Sequence, residues 1–391
     1  MKRYHVWTIG CQMNVADSRG LAADLEGLGY AWTDDPEAAD VVVLNTCVVR
    51  QPVEDKVYGR LGSLLKTRRE RPGMVVALMG CLVGQGEARR LRSRFPDVDV
   101  FLPPATTRPL LDYLRGADLD GAARRHEARS VAGRWAAQDA GLPAPSRLPL
   151  RDRGRVVSAH VPIIHGCSWV CTFCIIPARR GPERSRPAEA VVQDVEALVA
   201  EGVREVILLG QIVDRYGHDR DDANALPHLL RRLNDVEHLE RIRFLTSHPA
   251  FLSDELLAAV AELPKVMEQI EIPLQAGHDR TLARMKRGYT VDEYCRLVAR
   301  VRESVPDPAI HTDIIVGFPG ETEEEFEATY RVVEALRLDK VHIAKFSSRP
   351  GTVAAKLLVD DVSTGEKERR RRSLDGLQER IRGEINAALV G

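Results

Sequence analysis

Cys167, Cys171 and Cys174 lie in the run IIHGCSWVCTFCIIPARRGPERSRP (163–187) with the spacing C-x3-C-x2-C. Thiols this close in sequence can grip one metal group from a single loop. Two chemistries use such a set. A structural zinc ion takes four ligands, commonly Cys and His. An iron–sulfur cube is normally closed by four Cys, so three leave one iron whose ligand comes from elsewhere in the chain or from a substrate. Phe173, an aromatic side chain between the last two thiols, suits packing against a purine better than it suits a zinc knuckle.

A second set is spread along the N-terminal third. Cys11, Cys47 and Cys81 recur at nearly equal intervals, about one βαβ unit apiece. Each follows an apolar run that reads as a buried parallel strand: YHVWTIG (4–10), VVVLNT (41–46) and MVVALMG (74–80). Helical patterns follow the first two, ADSRGLAADLEGLG and VEDKVYGRLGSLLKTRRER. Parallel strands joined by crossover helices present their carboxyl ends along one sheet edge, where such folds bind ligands. One Cys there is a small hydrophobe; three at equivalent strand ends point to a second cluster, again with an open iron. The remaining thiol, Cys295, sits in the helical pattern VDEYCRLVARVRE and reads as core packing.

The elements that must position these sets give an α/β fold class. Residues 1–118 read as a small doubly wound parallel-sheet domain and 119–154, rich in Gly, Ala, Pro and Arg, as a linker. In 155–362, strand-like runs at 156–164, 205–211, 241–247, 269–275, 310–318 and 340–347 alternate with helical patterns. Six βα units fit a partial TIM-type barrel, with its function at the carboxyl ends of the strands. Residues 363–391 form a charged helical pattern with four consecutive arginines, Arg369 to Arg372, that could follow an RNA backbone. The net charge of −1 leaves nucleic-acid binding to such local basic surfaces. The opening MKRYHVWTIGCQMN turns polar too soon for a signal peptide, and no apolar run is long enough to cross a membrane, so a cytoplasmic protein is expected.

The cysteine loop closely resembles the signature of the radical S-adenosylmethionine (SAM) enzymes. The stretches GCQMNVADS (10–18), LNTCVVRQPVEDKV (44–57) and MGCLVGQ (79–85), followed in order by CTFCIIP, RGPERSRP, LLGQ, RIRFLTSHP, MKRGYT, DIIVGFPGET and SSRPGT, resemble the methylthiotransferase family of those enzymes. CQMN with NTCVVR is similar to the branch acting on isopentenyl-adenosine in tRNA, whereas QIVDRYG (211–217) departs from that branch's usual QNV followed by N-x-Y. The resemblance implies a radical SAM barrel over 155–362 and two 4Fe-4S clusters, one on Cys167, Cys171 and Cys174 that binds SAM, and an auxiliary one on Cys11, Cys47 and Cys81. It implies methylthiolation of C2 of isopentenyl-adenosine just 3′ of the tRNA anticodon, with two SAM molecules used per product. Implied partners are the tRNA anticodon loop, an electron donor such as flavodoxin or ferredoxin, and a sulfur or cluster donor.

In such a barrel Phe173, Gln211, Ser247, Gln275 and Asp313 are candidates for holding SAM, the last four being polar residues in or beside the barrel strands. By the same resemblance Glu183, Arg184, Arg186 and Arg349 lie near the substrate entrance. Family members usually continue into a small RNA-binding β-barrel, and this sequence stops before any such strands. Two other readings remain: a sibling methylthiotransferase acting on threonylcarbamoyl-adenosine in tRNA or on a ribosomal protein, and a non-enzymatic iron–sulfur carrier or RNA-binding scaffold.

Overall fold

The computed structural model describes residues 1–48, 51–84, 87–116 and 145–390. Most of the expected linker, 119–144, lies outside them. The chain forms two compact units, one of Met1–Ser168, Ile176–Gly210 and Val236–Glu240, the other of Trp169–Ile175, Gln211–Asp235 and Arg241–Gly391. The division falls inside the cysteine loop, so Cys167 belongs to the first unit and Cys171 and Cys174 to the second.

In the first unit the strands β1 (Arg3–Ile9), β2 (Ala31–Trp32), β3 (Val41–Thr46), β4 (Val75–Gly80) and β5 (Val100–Leu102) make one sheet in the order β2-β1-β3-β4-β5. Every pairing is parallel. The central β3, VVVLNT, is buried throughout, as a β-branched run covered on both faces should be. On one face Val41, Val43, Ala77 and Met79 pack with Leu21 and Leu25 of helix α1 (Gln12–Gly27) and with Leu110 and Leu114 farther along the chain. Val42, Leu44, Val76 and Leu78 point the other way and are equally buried. This is the doubly wound arrangement; the sequence pattern anticipates β1, β3 and β4, and the structure adds the short edge strands β2 and β5. After residue 144, Arg151 lies over the Trp32 ring at 3.4 Å and Leu150 N donates to Glu26 at 2.6 Å, so residues 145–154 pack on this unit.

The first two of the six expected βα units also lie in the first unit. β6 (Ser158–Pro162) pairs in parallel with a strand at Glu205–Leu209, and between them runs the helix Ala188–Ala200. After β6 comes an element that the sequence pattern does not separate from it. β7 (Ile164–His165) pairs antiparallel with β8 (Arg184–Ser185), enclosing the cysteine loop in a hairpin; the Glu205–Leu209 strand is then β9.

The second unit carries β10 (Arg241–Leu245), β11 (Gln269–Glu271), β12 (Ala309–Val316) and β13 (Lys340–Lys345), the last three forming a parallel sheet. In β12 Ile310, Thr312, Ile314 and Val316 are buried, while His311, Asp313 and Ile315 alternate with them and are only half-buried. A helix follows each of β10, β11, β12 and β13 in chain order. The capping boxes Thr290 with Glu293 and Thr322 with Glu325 start the helices Val291–Ser304 and Glu323–Leu336.

The C-terminal helix Thr364–Ala388 packs into this unit through Leu374, Leu377 and Ile381. All four arginines of its run make ion pairs. Arg370 pairs with Glu321 at 2.7 Å, Arg369 with Glu323 at 2.5 Å, Arg371 with Asp375, and Arg372 with Glu368 at 2.9 Å. Among the described residues no helix is long and apolar enough to cross a membrane.

Candidate metal centres

The N-terminal thiols sit where the parallel register puts them. Ile9 is opposite Thr46, and Thr46 is opposite Gly80, so β1, β3 and β4 end level with one another. Cys47 and Cys81 each follow the last residue of a strand, and Cys11 is the N-cap of α1. Cys47 and Cys81 are buried and Cys11 is exposed. Gly80 takes φ +99°, and a Cβ there would lie 2.4 Å from the Thr46 carbonyl oxygen, so the chain can turn into Cys81 only at glycine.

A buried amide clasp that the sequence pattern does not reveal locks these ends together. Asn14 Nδ2 donates to Asn45 Oδ1 at 2.9 Å and to the Thr46 carbonyl at 3.3 Å. Asn45 Nδ2 donates to the Asn14 carbonyl at 2.8 Å and to Ser18 at 2.9 Å. Cys11 N donates to Asn14 Oδ1 at 3.3 Å, which joins the first thiol's backbone to the same network. Both asparagines are fully buried, so their partners must persist for the fold to tolerate them. The only trace in the sequence is that each lies near a Cys, in CQMN and LNTC.

Arg180, at the end of the short helix Ile176–Arg180, reaches this edge. Its Nε donates to Cys81 Sγ at 3.3 Å and its Nη2 to Asp17 at 3.4 Å, with both charged side chains nearly inaccessible. Burial pushes the Cys81 thiol up, and the adjacent Arg180 guanidinium opposes that shift.

In the second unit, the segment around Cys171 and Cys174 is held by Thr172. Its N donates to the Met285 carbonyl at 3.1 Å, its Oγ1 to the Arg284 carbonyl at 2.8 Å, and its own carbonyl accepts from Ala354 N at 2.8 Å. Another buried arginine meets a thiol here. Arg287 donates to Cys171 Sγ at 3.2 Å, to the Pro273 carbonyl at 3.1 Å and to the Tyr289 hydroxyl at 3.0 Å. Phe173 packs against the apolar cluster around Leu282, Met285 and Phe346, edge-on to Phe318 at 6.4 Å.

The other residues singled out in sequence divide between the units. Ser247 is buried and its Oγ has no hydrogen-bond partner. Its neighbour His248 is also buried; its backbone N donates to Asp214 at 2.9 Å, and its Nδ1 accepts from Ala250 N at 3.2 Å. Burial, reinforced by Arg287 and Arg215, lowers its pKa to about 3, so the ring is neutral and its Nε2 proton lacks a partner. Gln275 adopts φ +73° and donates its N to the Asp313 carbonyl at 2.8 Å. Gln211 is half-buried and Arg349 is buried, both in the second unit. In the first unit, Arg184 is exposed on β8 and Glu183 N donates to Ser168 Oγ at 3.2 Å. Arg186 is committed to Asp194 at 2.8 Å and to the Pro162 carbonyl at 3.1 Å.

Asp313 has a partner that the sequence pattern does not suggest. The Glu271 and Asp313 carboxyls, on neighbouring strands, share a hydrogen bond, and burial followed by the Asp313 charge raises the Glu271 pKa to about 7 against a weaker pull from Lys340. An acid that titrates higher folded than unfolded contributes stability that is complete below its unfolded value of 4.5 and lost as pH rises through about 7. Glu271→Gln should therefore unfold with about 2 kcal/mol more difficulty than the parent at pH 8, with the gap closing toward pH 4.5. Urea denaturation at the two pH values checks it, and an equal gap at both would contradict the shared proton.

Among the described residues no three His, Cys, Asp or Glu side chains close tightly enough to hold a single metal ion. A four-iron cube spaces its thiolates farther apart than one ion does. Three sulfur donors at a level sheet edge, three in one loop, and a buried guanidinium on one thiol of each set suit anionic iron–sulfur groups.

A family model for the radical SAM superfamily matches residues 161–333, and one described as uncharacterized protein family UPF0004 matches residues 3–103. Curated relatives named tRNA-2-methylthio-N(6)-dimethylallyladenosine synthase come from Roseiflexus sp. and Herpetosiphon aurantiacus. The first is 46% identical over all of this chain and 78% of its own length. The second is 45% identical over all of this chain and 85% of its own length. Among solved structures, the radical SAM methyltransferase TsrM from Kitasatospora setae aligns with a TM-score of 0.65 at 17% identity, over 91% of this chain and 77% of that one. The cobalamin-dependent SAM radical enzyme OxsB aligns with a TM-score of 0.56 at 11% identity, over 97% of this chain and 56% of that one. These two likenesses speak to the fold alone.

Proposed function

The chain belongs to the tRNA-2-methylthio-N(6)-dimethylallyladenosine synthase family of radical SAM enzymes, and on that premise we propose that it methylthiolates C2 of isopentenyl-adenosine beside the tRNA anticodon. The observation that carries this is likeness over the full chain, across both matched regions, to relatives bearing that one name. It favours the isopentenyl branch over the threonylcarbamoyl and ribosomal-protein branches, and an enzyme over a carrier.

Radical SAM chemistry uses a 4Fe-4S cluster and SAM. In this reading Cys167, Cys171 and Cys174 hold that cluster, and Cys11, Cys47 and Cys81 hold a second. When bound, these groups supply a 5′-deoxyadenosyl radical to remove hydrogen from C2, a sulfur atom to replace it, and, from a second SAM, the methyl group. The chain's own residues bind and orient. Arg287 and Arg180 each donate to one sulfur of a set, bringing positive charge beside a residue that would ligate iron. Ser247 Oγ and the neutral His248 Nε2 offer buried polar atoms for a ligand such as SAM, in company with Phe173, Gln211, Gln275 and Asp313. Glu183, Arg184, Arg186 and Arg349 are assigned to the substrate side. Residues 1–118 form the methylthiotransferase domain and 155–362 the radical SAM core, which acts in the cytoplasm with an electron donor of the flavodoxin or ferredoxin type and a sulfur donor.

Mass spectrometry of tRNA nucleosides from cells with and without the gene tests the reading. Deletion should remove 2-methylthio-isopentenyl-adenosine and leave its unthiolated precursor in its place. An unchanged profile would overturn the tRNA assignment.

A further inference from the structure

We propose that Arg180 is the positioning residue of the N-terminal cysteine site: its guanidinium fixes the Cys81 sulfur and raises the reduction potential of the iron–sulfur group that site carries. The inference rests on reading Cys11, Cys47 and Cys81 as cluster ligands. Three features of the first unit carry it.

The first is the contact itself. Arg180 is 2% exposed, and its Nε donates to Cys81 Sγ at 3.3 Å. A charged donor on a ligand sulfur stabilises the more negative, reduced state of any iron–sulfur group, and hydrogen bonds to sulfur are among the factors that set cluster potentials.

The second is an unused donor. Arg180 Nη1 is buried without a hydrogen-bond partner, although Nε and Nη2 are both engaged. A buried donor in a dry site calls for a partner, and a cluster or substrate sulfur at this edge would match it. Asp17, itself buried, balances part of the charge at 3.4 Å.

The third is rigidity. The helix bearing Arg180 docks on the turn that begins with Cys81. A Cβ at Gly84 would lie 2.8 Å from the Arg179 Cα, so only glycine allows the approach, and Arg179 pairs with Glu87 at 3.0 Å. The guanidinium therefore arrives on a braced backbone rather than a swinging side chain. Arg180 also lies six residues after Cys174, so the loop carrying one cysteine set leads directly into the side chain that grips the other.

The test uses the full chain with Cys167, Cys171 and Cys174 replaced by alanine, so that any iron reports only the N-terminal site. Iron and sulfide content are measured, and the midpoint potential is followed by electron paramagnetic resonance during reductive titration. Arg180→Met should shift the midpoint to a more negative potential, Arg180→Lys should shift it less, and Asp17→Asn, which unmasks the guanidinium, should shift it the opposite way. A purely structural Arg180–Asp17 pair would give no such opposed shifts. If Arg180→Met folds but binds no iron, the positioning half stands and the Asp17→Asn and Arg180→Lys midpoints decide the other half; they decide it likewise if Arg180→Met fails to fold. Midpoints that match the parent, or that move in one common direction, overturn the proposal. Absence of iron from the parent itself would instead overturn the reading of the three cysteines.

Discussion

Alanine at Cys167, Cys171 and Cys174 is expected to reduce 5′-deoxyadenosine formation from SAM to background, whereas alanine at Cys11, Cys47 and Cys81 should leave that step running and abolish sulfur insertion. The two sets lie on different elements of the chain. One occupies the loop enclosed by the β7–β8 hairpin, and the other the level ends of β1, β3 and β4. Each exchange removes a single sulfur from a site that is at most fully buried, which costs on the order of 1 kcal/mol. A typical folded chain has about 5–15 kcal/mol in hand. Loss of activity in either variant is therefore loss of ligation rather than loss of fold, and circular dichroism provides the control. Chromatography of 5′-deoxyadenosine from the reduced protein, beside mass spectrometry of tRNA nucleosides, separates the two steps. An N-terminal triple variant that retains one cluster's iron yet makes no 5′-deoxyadenosine would contradict the division.

How much of this the sequence discloses depends on how far apart the interacting residues lie. VVVLNT and MVVALMG announce themselves as strands because parallel strands buried on both faces read as unbroken apolar runs. The two-residue β2, the three-residue β5 and the β7–β8 pair are too short to show a period. The cysteines are visible because spacing and strand ends are local properties. The arginines that serve them are not, since Arg180 meets Cys81 across 99 positions and Arg287 meets Cys171 across 116. For the same reason Arg369 to Arg372 look like a free basic surface in one dimension, because Glu321 and Glu323, which accept Arg370 and Arg369, lie on a different segment.

Arg287→Met should lower 5′-deoxyadenosine formation by about 10–100-fold, the usual consequence of removing a group that orients a metal ligand. Methionine nearly fills the volume but donates nothing, so the Cys171 sulfur, the Pro273 carbonyl and the Tyr289 hydroxyl all lose the guanidinium that ties them together. Tyr289 keeps its own bond to the Leu274 carbonyl at 2.8 Å, so the loop after β11 stays in place and the fold loses only about 1–3 kcal/mol. What is lost is the link between that loop and the thiol. The same loop leads to Gln275, whose backbone joins Asp313, so Arg287 connects one thiol to two of the residues assigned to SAM. Arg287→Lys keeps the charge but replaces a planar fork with a point donor, and should fall between the parent and the methionine variant. Iron content and 5′-deoxyadenosine yield, measured on the same preparations, show whether the cluster or its geometry has suffered. Cleavage within twofold of the parent in Arg287→Met would show that Cys171 is positioned by the Thr172 contacts alone.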